Sequence, residues 1–493
     1  MNIALPSHEW AVITLGLVVL LSDLWLPAAE KHKLGYVAAI GLGIILLYSL
    51  LAVRVAPGAT DYAFGKMYAL DGLALFFKRF FLLAALLVLL MSVEFADRIA
   101  TGIAEFYALI LFSLSGMLFA ASANDFSLLF VSLELITVSF YVLTSFQRAR
   151  AASLEAGVKY LIVGALSTGF TVFGIALVFG MSGTLNFGEL AAVAAQLSGN
   201  KIFLFGLLLV LVGLGFKIAA FPFQIWAPDV YEGSPAPATA FLAIGSKAAG
   251  FVLLLRVLFI AVPTVTLIWA KLLIVISAVT LLYGNLCALP QRNLKRLLGY
   301  SSIAHAGYML LGVAAMAAAL ANRGQDPAAG ASAILYYLAG YLFTVLGAFT
   351  VICLVLRQVE AEDISSLAGM GERSPLLAAT MTLAMVSLAG IPPLAGFFGK
   401  FLLLKAALAQ APAEPAYYWL VAAALAGVVI SLYYYFGVVR AMYWSKDAAD
   451  LSPIPISKPI RFAIYGCVAG MLYLGLFPRG LVNLATEAVK NLR

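Results

Sequence analysis

The sequence predicts an all-α protein that crosses a membrane many times. Hydrophobic residues make up 64% of the 493-residue chain and charged residues 11%, whereas soluble proteins are about 45–50% apolar and about 25% charged. The mean hydropathy is +1.04. Apolar segments of about 20 residues, the length that crosses a bilayer, recur along the whole chain. These features exclude a soluble enzyme, a nucleic-acid-binding protein and a disordered protein.

Fourteen apolar segments are long enough to predict transmembrane helices. They lie at residues 10–28, 34–53, 73–93, 103–121, 126–147, 156–181, 202–221, 238–261, 266–288, 297–316, 331–357, 375–391, 417–443 and 459–477. The twelfth segment continues past a pair of prolines into a second half at 396–410. Residues 190–196 are alanine-rich and short, which predicts a loop. The polar stretches 358–374 and 444–460 also predict connecting loops.

The ends and the cysteines carry weaker signals. The first residues, MNIALPSHEW, lack a basic region before the apolar run, so we expect a retained first helix and no cleaved signal peptide. Cys287, Cys353 and Cys467 are scattered through apolar stretches. They predict buried thiols, because a disulfide framework, a zinc site or an iron–sulfur cluster needs more or closer cysteines.

Basic residues cluster after odd-numbered segments. The clusters are Lys31 and Lys33; Arg148 and Arg150; Arg292, Lys295 and Arg296; Arg357 and Arg373; and Arg440, Lys446, Lys458 and Arg461. Because cytoplasmic loops carry an excess of Lys and Arg, these loops predict the cytoplasmic side and place both termini outside. Lys66, Lys78 and Arg79 are exceptions to this pattern.

Glu134 lies in the middle of an apolar segment, FSLLFVSLELITVSFYVLTSF. A charge at this depth costs about 2.5–3.5 kcal/mol and usually faces the protein interior or a water-filled path. Ser127, Thr137 and Tyr141 fall on the same helical face, which makes a polar stripe. The stripe predicts a functional carboxylate. The alternative is a structural Glu that a neighbouring helix satisfies.

Lys217 precedes Pro222 by five residues in GFKIAAFPFQ. The proline leaves the carbonyl of Ile218 without its helical donor, so we expect the helix to break beside the lysine. Irregular backbone at membrane depth is tolerated where it lines a cavity, which favours an ion site here. The alternative is a lysine that snorkels to the interface.

Two more lysines occupy similar settings. Lys247 lies about nine residues into its segment, and Lys400 follows the paired prolines of the twelfth. Both are candidates for the same path as Lys217. Arg256, nearer the end of its segment, is predicted to snorkel to the interface. Lys405 is either another member of a relay along this path or an interfacial anchor.

Other polar residues leave two interpretations open. Lys159 follows Glu155 by four residues, a favourable helical pair, and is either a relay member or an interfacial residue. His305, in SSIAHAGY, either shuttles protons near neutral pH or is a packed, hydrogen-bonded core residue. Asp229 and Glu232 are predicted to lie in a cytoplasmic loop or to cap the next helix.

The chain contains a weak internal repeat. A segment with a lysine and a proline break occurs at 202–221 and again at 375–410. Two five-helix units, 101–262 and 263–445, follow from this pairing, and an odd number of helices inverts the second unit, as in transporters. Residues 1–100 then carry helices one to three, and residues 446–493 carry helix fourteen.

Several chemical motifs are missing from the sequence. There is no GxxxxGK[ST] loop, no strand–GxGxxG–helix unit and no His/Cys/carboxylate cluster with metal-ligand spacing. We therefore expect no nucleotide hydrolysis, cofactor or metal in this chain. The composition favours a protein that moves a solute or ion.

Four runs of sequence resemble motifs of the antiporter-like membrane subunits of respiratory complex I, the proton-translocating NADH:quinone oxidoreductase. They are LFVSLELITVSFYVLTSF, FKIAAFPFQIWAPDVYEGSPAPATAFLAIGSKAAG, QRNLKRLLGYSSIAHAGYMLLG and GIPPLAGFFGKF. The resemblance covers about residues 70–445. It implies a proton relay of Glu134, Lys217, Lys247 and Lys400. Lys159 matches a further family lysine. Gln224 stands where the family commonly has a histidine, and because a neutral amide cannot titrate, a relay through this position would need water.

The resemblance also implies a mechanism and partners. Burial disfavours a charged lysine and a nearby carboxylate opposes this effect, so separation of Glu134 from Lys217 would send a proton through Lys247 and water toward Lys400. Quinone reduction elsewhere would drive the separation. NADH, FMN, iron–sulfur clusters and quinone are expected in other subunits. The implied partners are the other membrane subunits, including neighbouring antiporter-like subunits, in the lipid bilayer of a bacterial inner membrane.

Three alternatives remain open from the sequence. The first is a subunit of a multisubunit Na⁺/H⁺ antiporter, and the second is a subunit of a hydrogenase-type membrane complex. The third is a scaffold whose lysines only join helices. The form PDVYEGSP argues against the antiporter subunit. The scaffold hypothesis predicts that neutralising the lysines costs assembly and not pumping.

Overall fold

The described residues form a bundle of α-helices with one short hairpin. The computed structural model describes residues 4–321, 326–358, 362–445 and 452–492. The helices are α1 Ser7–Ser22, α2 Leu34–Leu51, α3 Gly72–Glu94, α4 Ile103–Ala121, α5 Phe126–Thr144, α6 Ala151–Ser182, α7 Phe187–Leu197, α8 Lys201–Ile218, α9 Trp226–Gly233, α10 Ala236–Ala261, α11 Pro263–Ala288, α12 Leu294–Ala321, α13 Ala328–Leu356, α14 Met370–Arg373, α15 Pro375–Ala389, α16 Ala395–Leu408, α17 Ala416–Trp444, α18 Lys458–Leu476 and α19 Arg479–Ala488.

Short elements connect these helices. The antiparallel hairpin pairs β1, Asp61–Ala63, with β2, Tyr68–Leu70. Single 3₁₀ turns occur at Ala28–Lys33, Ala96–Arg98, Ile364–Leu367 and Lys490–Leu492. The predicted all-α membrane architecture is therefore confirmed, with the hairpin as a minor addition.

Twelve helices within the described residues are long and apolar enough to cross a membrane. The other two predicted segments form shorter helices, α1 and the broken pair α15 and α16. Each of the fourteen predicted segments thus contains a helix, but the number that crosses the membrane stays a prediction, as do the boundaries of the two five-helix units.

Two predictions of secondary structure were wrong. Residues 190–196, interpreted as a loop, belong to α7, which the Asn186 side chain caps by accepting hydrogen bonds from the backbone N–H groups of Gly188 and Glu189. Asn is a preferred N-cap residue, and the alanine run that follows favours helix. Asp229 and Glu232 were expected in a loop or cap, but they lie within the short helix α9.

The centre of the bundle is built from α10, α12 and α13, which are almost entirely buried. Helices α2 and α6 lie at the periphery and expose apolar side chains such as Ile44 and Ile162. This arrangement explains why charges are tolerated on the central helices: their side chains face other protein groups and not lipid.

Glycines permit the close approach of α11 to α12. A Cβ built on Gly284 would lie 2.4 Å from the backbone nitrogen of Ala304, and one on Gly307 would lie 2.5 Å from the nitrogen of Leu281. Small residues at helix interfaces let backbones pack closely in membrane proteins. This contact fixes the position of the α12 face that carries Ser302 and His305.

Arg256 does not snorkel, contrary to the sequence prediction. It is fully buried and its guanidinium forms an ion pair with Asp71 at 2.8 Å. Lys78, an exception in the charge pattern, is also fully buried and paired with Glu9 at 2.6 Å. Both cations are paired with carboxylates from distant parts of the chain, which explains why they need not reach an interface or a loop.

Candidate functional site

Lys217 occupies the last turn of α8, beside the predicted break. The helix ends at Ile218, Ala219 adopts a left-handed conformation with φ of 57°, and the N–H of Ala220 donates to the carbonyl of Gly215. The break beside the lysine is thus confirmed. Lys217 is only 4% exposed, so it does not snorkel. Its charge lies near the carbonyl end of a helix, where a cation is favoured.

Glu134 and Lys217 face one small cavity between α5, α6 and α8. The cavity has a volume of about 20 Å³, enough for a water molecule, and Thr137 and Thr168 also line it. Lys217 Nζ donates to Thr137 Oγ1 at 2.8 Å, whereas Glu134 Oε1 accepts from Thr168 Oγ1 at 2.7 Å. Among the described residues, neither group forms an ion pair within 4.0 Å.

Lys247 lies on the central helix α10, one turn from the point where this helix contacts Lys217 of α8. A Cβ built on Gly250, one turn from Lys247, would lie 3.4 Å from Lys217 Cβ. The π-helical segment Leu242–Ser246 directly precedes Lys247, and such segments often occur at functional sites. The buried ammonium donates to the hydroxyl and the carbonyl of Ser302 on α12.

His305 continues this row on α12. The imidazole is buried and bonds through Nδ1 to the Tyr337 hydroxyl and through Nε2 to the Tyr435 hydroxyl at 3.0 Å. Its ring also lies 4.9 Å from the ring of Tyr341, which in turn faces the Lys247 ammonium at 6.0 Å. Both ring nitrogens therefore contact hydroxyl groups that can carry a proton.

Lys400 reaches back across the second proline break. It starts on α16, and its ammonium donates to the carbonyls of Leu388 and Ala389, the last residues of α15, at 2.7 and 3.2 Å. Gly390 ends α15 with a φ of 86°, and a Cβ there would lie 2.9 Å from Lys400 Cδ. The ammonium also lies 4.8 Å from the Tyr308 ring. Like Lys217, Lys400 places its charge at the carbonyl end of a half-helix.

Lys159 is not part of this buried row. Its side chain is 42% exposed and forms ion pairs at 2.6 Å with Glu155 and with Asp229. The predicted pairing with Glu155 is confirmed, and any role in a relay stays a prediction. Burial alone would raise the pKa of Asp229, but hydrogen bonds from Lys159 and Arg296 hold the pKa of this carboxyl below its usual value. Lys405 is exposed, which favours an interfacial role.

Gln224, where the resemblance expects a histidine, is 2% exposed. Its amide oxygen has no hydrogen-bond partner within the described chain. Buried polar atoms are normally satisfied, by ordered water where the protein offers no group. The position therefore favours a bound water in place of a titrating side chain.

Sequence reasoning missed several members of the polar network. Tyr337 and Tyr435 lie in apolar segments without a recognisable motif, and they reach His305 only through tertiary packing. Lys295, assigned to a basic loop, is buried at the start of α12 and pairs with Glu362 at 3.0 Å. No sequence pattern joins residues so far apart, although buried tyrosines are generally expected to find hydrogen-bond partners.

Comparisons with known proteins agree with this fold. A family model described as NADH:quinone oxidoreductase/Mrp antiporter, transmembrane, matches residues 123–432. NADH-quinone oxidoreductase subunit N of Trichlorobacter lovleyi is 39% identical over 99% of this chain and 97% of the relative. The protein of the same name from Heliobacterium modesticaldum is 37% identical over the full length of both chains.

Solved structures show the same architecture. A chain of respiratory complex I from Thermus thermophilus superimposes with a TM-score of 0.77 at 32% identity, covering 97% of this chain and 99% of that one. A chain of the Mrp complex from Dietzia gives a TM-score of 0.78 at 21% identity over 98% and 97%, which shows the fold alone. The class is therefore that of antiporter-like, multi-pass membrane subunits. Within it, the chain belongs to the NADH-quinone oxidoreductase subunit N family.

Proposed function

We propose that this chain translocates protons through the row Glu134, Lys217, Lys247, His305 and Lys400, as a subunit of an NADH:quinone oxidoreductase. The observation that carries the proposal is the continuity of the row. Lys217 contacts α10 at Gly250, one turn from Lys247, and ring contacts lead from Lys247 through Tyr341 and His305 to Tyr308 and Lys400. Hydroxyl groups, an imidazole and internal water can pass protons along such a row.

The partners of the three lysines favour a relay over a scaffold. Lys217, Lys247 and Lys400 donate to hydroxyls or backbone carbonyls. In the described chain, no carboxylate lies within 4.0 Å of their ammonium groups, whereas the buried Lys295, which is outside this row, is paired with a glutamate. A buried ammonium without a countercharge releases its proton more readily, because desolvation disfavours the charged form.

Glu134 supplies the adjustable charge in this proposal. Its carboxylate bonds to Thr168 in the cavity that also holds Lys217. A shift of the carboxylate toward Lys217 would favour the protonated lysine, and the return to Thr168 would favour release toward Lys247. These two positions of the carboxylate would make Glu134 and Lys217 a two-state element, whose balance a change elsewhere in the complex would shift.

The surrounding complex supplies the driving reaction. We place NADH, FMN, iron–sulfur clusters and quinone in other subunits, with this chain contributing no redox centre. Its neighbours are other membrane subunits of complex I, including antiporter-like ones. The chain lies in the bacterial inner membrane, with its basic loops in the cytoplasm and both termini on the outer side, as the charge distribution predicts.

The test is proton translocation by the purified complex in proteoliposomes. Lys247→Ala and Lys400→Ala are expected to assemble and to lose coupled turnover. Lys405→Ala, on the same helix as Lys400 but exposed, serves as the matched control and is expected to pump like the parent. Two outcomes would contradict the proposal and support the scaffold hypothesis. In the first, both buried-lysine variants pump normally; in the second, they assemble poorly but the complex that does assemble pumps normally.

A further inference from the structure

A second buried cluster of titratable groups lies at the end of the bundle where α1 and α3 begin. Lys78 Nζ and Glu9 Oε1 are 2.6 Å apart, and both side chains are completely buried. The Tyr68 hydroxyl, from β2, donates to Glu9 at 3.2 Å and accepts from Lys78. Three elements thus bring an amine, a carboxylate and a phenol into direct contact.

Unpartnered polar atoms surround this cluster. His8 is 1% exposed, and neither of its ring nitrogens has a hydrogen-bond partner in the described chain. The same holds for Ser49 Oγ, Ser122 Oγ and Arg79 Nε. Arg79 donates to the Ser49 carbonyl at 2.7 Å, and the Ser122 carbonyl accepts from Ala69, next to Tyr68. Such buried atoms are normally satisfied by internal water, so water is the expected partner of these groups.

A neighbouring ion pair at the same end has a different chemistry. Arg256 bonds to Asp71 at 2.8 Å and to the Ala121 carbonyl at 2.8 Å, and Asp71 also caps α3 by accepting from the N–H of Ala74. A guanidinium stays protonated at ordinary pH, whereas a buried lysine can release its proton. The Asp71–Arg256 pair therefore joins α3 to α10, and only the Glu9–Lys78 pair is equipped to transfer a proton.

We infer that Glu9, Lys78 and Tyr68 form a second proton-transfer site, which exchanges protons between the lysine row and the aqueous phase at this end of the bundle. The inference rests on the proposed function, whose topology places this end outside. Helix α10 connects the two regions, because Lys247 and Arg256 lie nine residues apart on it, roughly 14 Å along the axis.

The transfer itself balances within the pair. The Lys78 ammonium gives one proton to the Glu9 carboxylate: an N–H bond breaks, an O–H bond forms, and an amine and a carboxylic acid result. Glu9 then releases the proton to internal water and regains its charge. The amine takes the next proton from water on the side of the lysine row. The other titratable or charged groups near the pair are His8 on α1, Asp71 at the N-cap of α3 and Arg256 on α10, and Arg79 on α3 lies near His8.

The test removes both charges together. Glu9→Gln with Lys78→Met avoids an unpaired buried charge, and Asp71→Asn with Arg256→Met is the matched control at the same end. Quinone reduction and proton translocation are measured with the assembled complex in proteoliposomes. We expect the Glu9 and Lys78 double variant to lose protons translocated per quinone reduced, while the control double variant keeps the parent ratio.

A single variant separates proton transfer from ion pairing. Lys78→Arg keeps the positive charge beside Glu9 but does not release a proton, so it is expected to lose translocation as well. A parent-like ratio in either Lys78 variant, an equal loss in the control, or failure of both Lys78 variants to assemble would overturn the inference, because each is what a structural ion pair predicts. Lys217→Ala, measured in parallel, distinguishes the two failures: if it loses pumping while Lys78→Arg pumps normally, only this inference is wrong.

Discussion

The ammonium nitrogen of Lys217 lies 2.8 Å from the hydroxyl oxygen of Thr137. Glu134, one helical turn before Thr137, faces the same cavity and bonds instead to Thr168. Thr137 therefore holds the lysine at a position from which the carboxylate is near but not in contact.

Glu134→Gln keeps the size of the side chain and removes its charge. Without the carboxylate, Lys217 loses the group that favours its protonated form, so reduced turnover and pumping are expected in an assembled complex. Glu134→Asp should retain more activity, because the charge survives. Quinone reduction and proton uptake in membranes, with assembly checked by native electrophoresis, measure both. Parent-like activity of Glu134→Gln would make Glu134 structural.

Thr137→Val removes the hydroxyl and nearly preserves the shape. A hydrogen bond to a charged group contributes about 1.5–3 kcal/mol, so the variant should shift Lys217 toward Glu134 and slow coupled turnover without loss of assembly. Thr137→Ser keeps the hydroxyl and is the control. Turnover of the Thr137→Val and Thr137→Ser complexes is measured under coupled and under uncoupled conditions. Equal rates for the two variants would show that the hydroxyl does not position the lysine.

Lys217→Arg retains the positive charge but not the ability to release a proton at ordinary pH. Positioned proton-transfer groups contribute about 10²- to 10⁴-fold to the steps they serve, so most coupled turnover should be lost, as in Lys217→Ala. Proton uptake by the reconstituted complex is the measurement. If arginine restored pumping relative to alanine, charge alone would be sufficient and Lys217 would not carry the proton.

Gly284→Ala should weaken the contact of α11 with α12. The new Cβ would lie 2.4 Å from the Ala304 backbone nitrogen, and overpacking of this kind costs about 1–3 kcal/mol. The melting temperature of the purified complex should fall. Gly466→Ala, in α18, is the control: its new Cβ meets no atom within 4 Å, so the melting temperature should not change. Equal effects of the two substitutions would contradict the packing argument.

Single cysteines test the orientation in a background in which Cys287, Cys353 and Cys467 are replaced. Cysteines at the exposed Arg148 and Arg292 should react with an impermeant label only from the cytoplasm. A cysteine at the exposed Lys66, in the hairpin, should react only from outside; the residues at 322–325, which include Arg323, lie outside the described chain. Labelling of Arg148 and Arg292 from opposite sides would mean that the helices between them are wrongly counted.

The helices and the candidate lysines could largely be predicted from the sequence. Hydropathy marks segments that must be helical, because a helix satisfies every backbone polar group internally in lipid, and a charge in such a segment stands out. Arg256 and Lys78 show where this reasoning ends. Their carboxylate partners, Asp71 and Glu9, are 185 and 69 residues away in the sequence, so no local pattern reveals that the charges are neutralised inside the bundle.

Local composition and backbone chemistry were sufficient to predict the membrane class, the helical segments, the proline breaks and the charged residues within apolar segments. Which of those charges are neighbours depends on how the helices pack. In the folded chain Lys217 donates a hydrogen bond to Thr137, Lys247 to Ser302 and Lys400 to the carbonyl end of α15, whereas Lys159 is half-exposed. The proton affinity of a buried group depends on its distance to other groups, and packing between distant helices sets those distances.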